Sequence, residues 1–566
     1  MKILNIKSLA IVTSMLLGMS SCADFLNRPA EDTYTTDGFY QNDAQCVQGV
    51  NILYNSPWYD FQRGFVKIGE GLSGNMVNKY DAAYIGYQTF ALKSSDTDLK
   101  NASCSLWAVN AYCNTIIENI KMKAGSAVTQ TTKNTCIGEA LTWKAMTYFY
   151  LVRCFGAVPI IHNNSAIIAA GQSNSVYRNN IADVYTYIVK DLEKAVELLP
   201  EKNAAGRVDK YCAYGLLAKV YLTKSGVGST DGKRNADDLA KAALYARKVI
   251  YESGRSLLPV YSDNFRLANN LNEESLIAWH WTVGINWTTQ NTEQSDLGLT
   301  GFDEFGKTWG SGVGMSLDLA AAFGEDATSL TRNNSDARRK ATMMMQGDVY
   351  DYFWTDKGGF TYDWTKATAQ GVTYGSPTGS NFVKHIVGDN ADHVLGAGVP
   401  MATMATSLST HILRLSDVYL VYAEALLGDN GTLTGGEGLK AYNDVRRRSI
   451  SNYVDKSSIT FDDIFNERRL ELAGEADFWY DFVRLSYYNP TAAKAKIVAQ
   501  NRGYYNETEL LEYYKGNITK SGVEKTDVNV PTGNIFFSIP FPDTDVSANP
   551  NLSKDPVPFD FSTISF

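Results

Sequence analysis

Aromatic rings are the residues best equipped for specific chemistry in this sequence: 34 Tyr, 24 Phe and 10 Trp make up 12% of 566 residues. Many must fill a core. An excess of Tyr and Trp also suits a surface that grips a sugar ring by its apolar face while bonding its hydroxyls. The 61 acidic residues could supply the facing carboxylate pair of a glycoside hydrolase, about 5–9 Å apart. The loops offer Asp303, Glu304 and Asp363 for that role, but no catalytic motif surrounds them. The five histidines lack ligand spacing; His385 and His393 stand eight apart, which is no metal signature. Neither a phosphate loop nor a nucleophile elbow is present. Cys46, Cys104, Cys113, Cys136, Cys154 and Cys212 form no Cys-x-x-Cys pair, so they read as small buried hydrophobes rather than metal or redox ligands. No cofactor is implied, and a structural calcium stays open.

The seventh cysteine belongs to a different chemistry. Lys2 and Lys7 precede an apolar run from Leu9 to Gly18, then Met19-Ser20-Ser21-Cys22. A basic start, a short apolar run and small residues at the cut site describe an export signal over residues 1–21. The run is too short to span a bilayer, which takes about 20 apolar residues. Small residues ahead of Cys22 resemble a lipobox, with Met19 replacing the usual Leu. Cys22 is therefore the expected lipidation site, and several acyl chains there anchor firmly where one does not.

The elements that must position the rings are mostly helices. Gly138 to Phe155 sets Leu141, Ala145, Tyr148, Phe149 and Val152 on one stripe, as a helix packed on one face requires. Ile181 to Leu199 repeats the pattern before Pro200, and Ala213 to Leu222 pairs with Asp238 to Tyr251. Leu413 to Leu427 and Gly438 to Arg448 form another pair. Small residues alternate with rings, as at Ala218, Tyr221 and Ala423, so these pairs resemble tetratricopeptide repeats with irregular spacing. Between about residues 270 and 405 the helical period gives way to Gly, Asn, Thr, Asp and rings. There Leu276 to Val283 alternates like a strand, while residues 286–309 and 349–374 read as long loops. Loops of that size are functional or disordered, and their Trp and Tyr content argues against disorder. Composition is that of an ordinary folded protein, 44% hydrophobic and 20% charged. The formal charge of −9 becomes −11 once Lys2 and Lys7 leave. With no basic tract, nucleic acid is excluded as a partner.

Several blocks resemble the SusD/RagB family in that family's order. Residues 23–54 are similar to its opening. Leu106-Trp107 through Tyr112 and Ile116 to Asn119, followed by Gly138-Glu139-Ala140 and Tyr148-Phe149 to Pro159, resemble its next two helices. Leu413 to Ala425 is close to "LRLAEVYLxYAEA". Asn466 to Leu472 runs on to Glu475, Trp479, Asp481 and Arg484, with Ala476 and Phe478 in place of the usual Gly and Arg. Ser538-Ile539-Pro540 and Asn549 to Leu552 resemble the family's close. The charged members, Arg414, Glu424, Glu467, Arg468, Glu475, Asp481 and Arg484, read as partly buried ion pairs of the scaffold.

The resemblance implies a mainly α fold: a tetratricopeptide-like helical-pair scaffold with a loop-rich, partly β variable region. It divides the chain into residues 22–269, the variable 270–405 and 406–566 of one domain. It also implies a non-enzymatic, lipid-anchored outer-membrane protein at the cell surface that captures a glycan for a SusC-like TonB-dependent transporter. A surface glycoside hydrolase, or the same fold holding a peptide, are the alternatives. The family's glycan platform maps to two stretches here: residues 75–87, with Asn78, Tyr80, Tyr84 and Tyr87, and Trp309-Gly310 before a helix at Leu317 to Phe323. Trp309 is the first choice, with Trp287, Trp354 and Trp364 as secondary candidates.

Overall fold

The computed structural model describes residues 38–303 and 308–564. The export signal, Cys22, residues 23–37 of the family-like opening and Glu304 therefore lie outside the described residues. The first helices are α1 (Asp43–Asn51), α2 (Tyr59–Val66) and α3 (Ala82–Gln88). Four longer ones follow: α4 (Thr97–Lys123), α5 (Gln130–Phe155), α6 (Ile181–Leu198) and α7 (Lys210–Lys224). Then come α8 (Ala236–Glu252) and, after a long excursion, α9 (Leu415–Leu427), α10 (Gly436–Ser449), α11 (Phe461–Leu472) and α12 (Phe478–Ser486).

From α4 to α10 each of these helices packs against the next, so the array is built from successive pairs. The stripe expected on α5 is wholly buried, and α5 ends where Gly156 turns to a φ of +73°, a conformation that suits glycine. Asp96, Thr129 and Asp209 cap the N-termini of α4, α5 and α7 by accepting backbone N–H groups, which satisfies donors a helix leaves orphaned. Ala218, Tyr221 and Ala423 are buried in the pair interfaces, the mix of small residue and ring that lets helices approach closely.

Residues 280–409 leave this array and return to it. The strand expected over Leu276 to Val283 is present only as Ser275–Trp279, ending four residues early, and it pairs antiparallel with Thr410–Arg414. The sequence places the start of α9 at Leu413; the structure begins it at Leu415. β-branched Thr410 and Ile412 favour the pleated conformation, and the ladder they join closes the neck of the excursion. Within it, Met343–Met345 pairs antiparallel with Ser380–Phe382 and Val349–Tyr350 with Phe360–Thr361, while its Gly314–Met315 pairs with Met76–Val77 of the N-terminal part.

Buried charge ties the neck to the C-terminal helices. Arg414 donates to Glu475 at 2.6 Å and to Glu274 at 2.6 Å, and Glu471 accepts from Arg448 at 2.6 Å. Arg468 joins Asp417 to Asp481, Arg484 joins Asp481 to Glu424, and Glu467 receives Arg338 and Arg446. Burial raises the Glu475 carboxyl, but Arg414 and Lys384 overcome it and hold the group at about 2. Burial likewise pulls the Lys384 ammonium down to about 8 against the attraction of Glu475. The six described cysteines are free thiols, and all but Cys104 are buried.

Candidate functional site

Three of the exposed rings, Trp287, Trp309 and Tyr80, lie around α2. Its residues Tyr59 and Arg63, with Lys67 in the π-helical turn Lys67–Gly71 that follows, are spaced by fours. They therefore share one face about 12 Å long. At its start the Trp287 ring packs edge-on against Tyr59, with centroids 6.3 Å apart, and stays 47% exposed. The Trp287 turn is opened by Asn286, whose side chain accepts the Thr288 N–H. Near the middle, the Arg63 side chain is exposed and makes no ion pair among the described residues.

Trp309 stands beside this face, 50% exposed. Its indole N–H donates to Asp296 Oδ1 at 2.8 Å, and its backbone N–H donates to the Ser295 carbonyl at 2.9 Å. Both acceptors belong to the one-turn helix Glu293–Leu297. Burial raises the Asp296 carboxyl while the charges of Arg63 and Lys67 and the Trp309 N–H pull it down. Gly310 makes this docking possible: a Cβ there would sit 2.4 Å from the Leu297 carbonyl carbon. The ring is thus fixed at its polar edge with half its surface open, as a stacking platform requires.

Tyr80 extends the strip. Asn78 Oδ1 accepts the N–H groups of Tyr80 and Asp81 at 2.8 and 2.9 Å, a local turn that swings the Tyr80 ring outward to 62% exposure. Its hydroxyl donates to Glu507 Oε1 at 2.6 Å, and Lys79 pairs with the other Glu507 oxygen at 2.5 Å. The ring lies against Gly312, where a Cβ would come within 3.2 Å of it. Tyr80 and the Trp309 loop therefore adjoin.

The other expected site residues lie differently. Asn78 is buried and acts through the turn that it holds. Tyr84 is buried beneath the strip, with the Lys67 ammonium 4.3 Å above its ring. Tyr87 is fully buried and donates to Asp96. Both point inward because α3 begins at Ala82 and turns positions 84 and 87 towards the core. Trp354 is buried against Phe302, with its N–H on the Phe302 carbonyl, and Trp364 is stacked on Tyr374. These four rings offer no open face, so they depart from the expected platform and serve as packing. Asp303 is buried, and Asp363 caps the turn at Thr365 and pairs with Lys366. Tyr59, Arg63, Lys67, Asp296 and Glu507 belong to no motif the sequence displays. The spacing of the first three was a readable signal; nothing in the sequence links Glu507 to Tyr80 across 427 positions.

Among the described residues no group of His, Cys, Asp and Glu side chains could hold a metal ion. Nor is any described helix long and apolar enough to cross a membrane.

A helical array carrying a long excursion, with exposed rings set along one helix face, defines a class of helical-repeat protein with an open aromatic strip. The comparisons narrow this to one family. The SusD family model matches residues 202–557, and a second, described as starch-binding associating with outer membrane, matches residues 75–222. A SusD-like protein of Bacteroides ovatus is 35% identical over 575 residues, covering 98% of each chain. This chain belongs to the SusD family. A SusD-like protein of Formosa agariphila is 21% identical over 521 residues, covering 85% of this chain and 90% of its own. Among solved structures, one crystallised with a xylogluco-oligosaccharide is 32% identical with a TM-score of 0.75, covering 91% of this chain and 99% of that one. A SusD-like carbohydrate-binding protein of Bacteroides fragilis shares the fold at a TM-score of 0.70 and 18% identity, covering 91% and 99%.

Proposed function

We propose that the strip along α2 binds an extended glycan, stacked on Trp287 and Trp309 and bonded by Arg63 and the polar groups around Tyr80. The observation that carries this reading is the pair of half-exposed indoles flanking one helix face that bears a free guanidinium. Rings hold pyranose faces while the guanidinium and carboxylates bond hydroxyls. The family assignment supports it, and the glycan in the 32% identical structure names the first ligand class to test. In this reading Cys22 carries the lipid anchor and the protein hands its glycan to a SusC-like TonB-dependent transporter in the outer membrane. The name of the second family model supports the outer-membrane association.

The reading is of a binder and not a hydrolase. Asp296 is engaged in fixing Trp309, and Glu507 in fixing Tyr80 and Lys79, so these carboxylates position rings. Incubation with xylogluco-oligosaccharides is expected to release no new reducing ends; steady release would replace the binder with an enzyme. In affinity electrophoresis against xyloglucan and a panel of other glycans, the protein is expected to be retarded by at least one. Trp309→Ala is expected to lose that retardation with an unchanged melting temperature. Undiminished retardation of this variant would remove Trp309 from the site.

A further inference from the structure

Among the five histidines, His385 stands apart because both of its ring nitrogens meet acceptors. His280, His393 and His411 each place one nitrogen on a carbonyl, at Gly206, Val399 and Asn264. Their other nitrogens face groups with a proton to give: the Ser409 hydroxyl, the Ser407 N–H and the Ser275 hydroxyl. A neutral imidazole satisfies each of these sites, and His162 meets the Thr563 hydroxyl.

His385 Nε2 lies 2.6 Å from the Gly474 carbonyl, which can only accept, so that nitrogen carries a proton. Its Nδ1 lies 2.9 Å from Glu293 Oε2. That oxygen is also an acceptor: the Trp281 indole N–H donates to Thr410 Oγ1 at 3.0 Å, and the Thr410 hydroxyl donates to Glu293 Oε2 at 3.1 Å. Bonds between charged partners are the stronger, so the second proton sits on the ring and the pair is imidazolium and carboxylate. Burial pulls the imidazole's value down, but Glu293 and the Gly474 carbonyl outweigh it and leave it raised. The other charges nearby are engaged elsewhere. Glu70 of the π-helical turn accepts the Ala476 N–H, and Lys384 pairs with Glu475, which also takes Arg414.

Glu293 opens the one-turn helix that seats Trp309. The chain after His385 grips the next residue of that helix: the Val387 N–H donates to Gln294 Oε1 at 2.7 Å, and Gln294 Nε2 donates to the Gly388 carbonyl at 2.8 Å. Ser295 and Asp296 then hold the Trp309 backbone and indole. Contacts thus run unbroken from the Gly474 turn through His385 and Glu293 to the exposed ring.

We propose that His385 is a buried imidazolium that positions Trp309 through Glu293, so that the strip holds its ligand best while the ring keeps its second proton. The effect on ligand rests on the glycan reading of the strip; the charge and the seating of Trp309 do not. Below pH 6.5, the ordinary histidine value, the ring is charged in the folded and unfolded chain alike and its contribution is complete. Rising pH through the raised folded value removes that contribution and leaves Glu293 buried without its counter-charge.

The test begins with ring-nitrogen NMR of protein carrying nitrogen-15 histidine. His385 is assigned by its absence in His385→Gln or by its shift in Glu293→Gln. Both of its nitrogens should be protonated at pH 7, and in Glu293→Gln its titration should move down by about one unit or more. Hydrogen exchange of the amides of residues 293–303, corrected for the intrinsic pH dependence, should quicken in the parent between pH 6 and 9. In calorimetry, xylogluco-oligosaccharide binding by the parent should weaken about threefold or more over that range, while His385→Gln should bind more weakly and without that slope. A neutral His385 at pH 7, unchanged corrected exchange, or a parent affinity level from pH 6 to 9 would each overturn the proposal. A parent that binds no xylogluco-oligosaccharide would count against that ligand for the strip, and the ring-nitrogen and exchange results would still decide for or against His385.

Discussion

Single residues decide how much freedom the backbone keeps near the strip. Ala476 is the sharpest case, because it stands where the family's pattern has glycine. Its φ is +57°, in the left-handed region that an L side chain enters at roughly 1–2 kcal/mol. The conformation is imposed from both sides. Glu70 accepts the Ala476 N–H at 2.7 Å, and Gly69 presses so close that a Cβ on it would lie 2.2 Å from the Ala476 carbonyl oxygen. Neighbouring Phe478, in the position of the family's Arg, packs with Phe465 and Phe482, so an aromatic cluster stands where the family's pattern has a charged side chain. Ala476→Gly should relieve the strain and raise the unfolding free energy by about 1 kcal/mol, less the ~0.5–1 kcal/mol that glycine's unfolded-state freedom takes back. The net effect is therefore a small stabilisation. It is read as a higher urea midpoint at unchanged slope; a midpoint lowered by more than the glycine penalty would show that Ala476 is not strained.

Elements decide which rings face outward, and this is where sequence and structure part. The composition identified an aromatic surface, and the interleaved Asn and Tyr of residues 75–87 located one end of it. Exposure was not legible, because alternation of rings with Asn does not fix helix phase. The turn at Asn78 throws Tyr80 out, and the start of α3 at Ala82 turns Tyr84 and Tyr87 in. Trp354 and Trp364 sit in segments that read as long loops, but short strand pairs and turns fold those segments back and bury both rings. The helical pairs were legible because each rests on a local period of three and four. The α2 face is equally local, but Tyr59, Arg63 and Lys67 carry no motif that marks it. Its length makes a prediction about Trp287, at the far end from Tyr80. Trp287→Ala should weaken binding of long oligosaccharides several-fold, about 1–2 kcal/mol for one stacking ring, while short ones that reach only Trp309 bind as before. Calorimetry over a ladder of chain lengths checks this, and an equal loss at every length would place both indoles on one sugar unit.

At the scale of the whole molecule, the helical array and the excursion are held together by buried charge more than by sheet. The ladder at the neck has only five residues on each side, and Arg414 at its end reaches Glu274, Glu471 and Glu475. Such a network stabilises only while its carboxylates stay ionised. Glu475 has an ordinary value of 4.5 and is held at about 2 in the fold, and Arg448, Arg414 and Arg338 outweigh burial to lower Glu471 as well. Above pH 4.5 Glu475 is charged in both the folded and unfolded chain, and its contribution is complete. Between about pH 4.5 and 2 the unfolded chain takes up a proton that the fold refuses, so stability falls as pH falls. The whole shift corresponds to roughly 3 kcal/mol for this one group. Asp477, raised by burial against the pull of Lys219, acts in the opposite sense and blunts the slope without reversing it. Urea unfolding at pH 7, 4 and 3 should therefore show midpoints that drop steadily below pH 4.5. Glu475→Gln should lower stability at pH 7 by about 3–5 kcal/mol, the range for breaking a buried pair, and should flatten the acid slope. A variant whose midpoint still falls in parallel with the parent would show that acid acts elsewhere, and that the neck is held by packing alone.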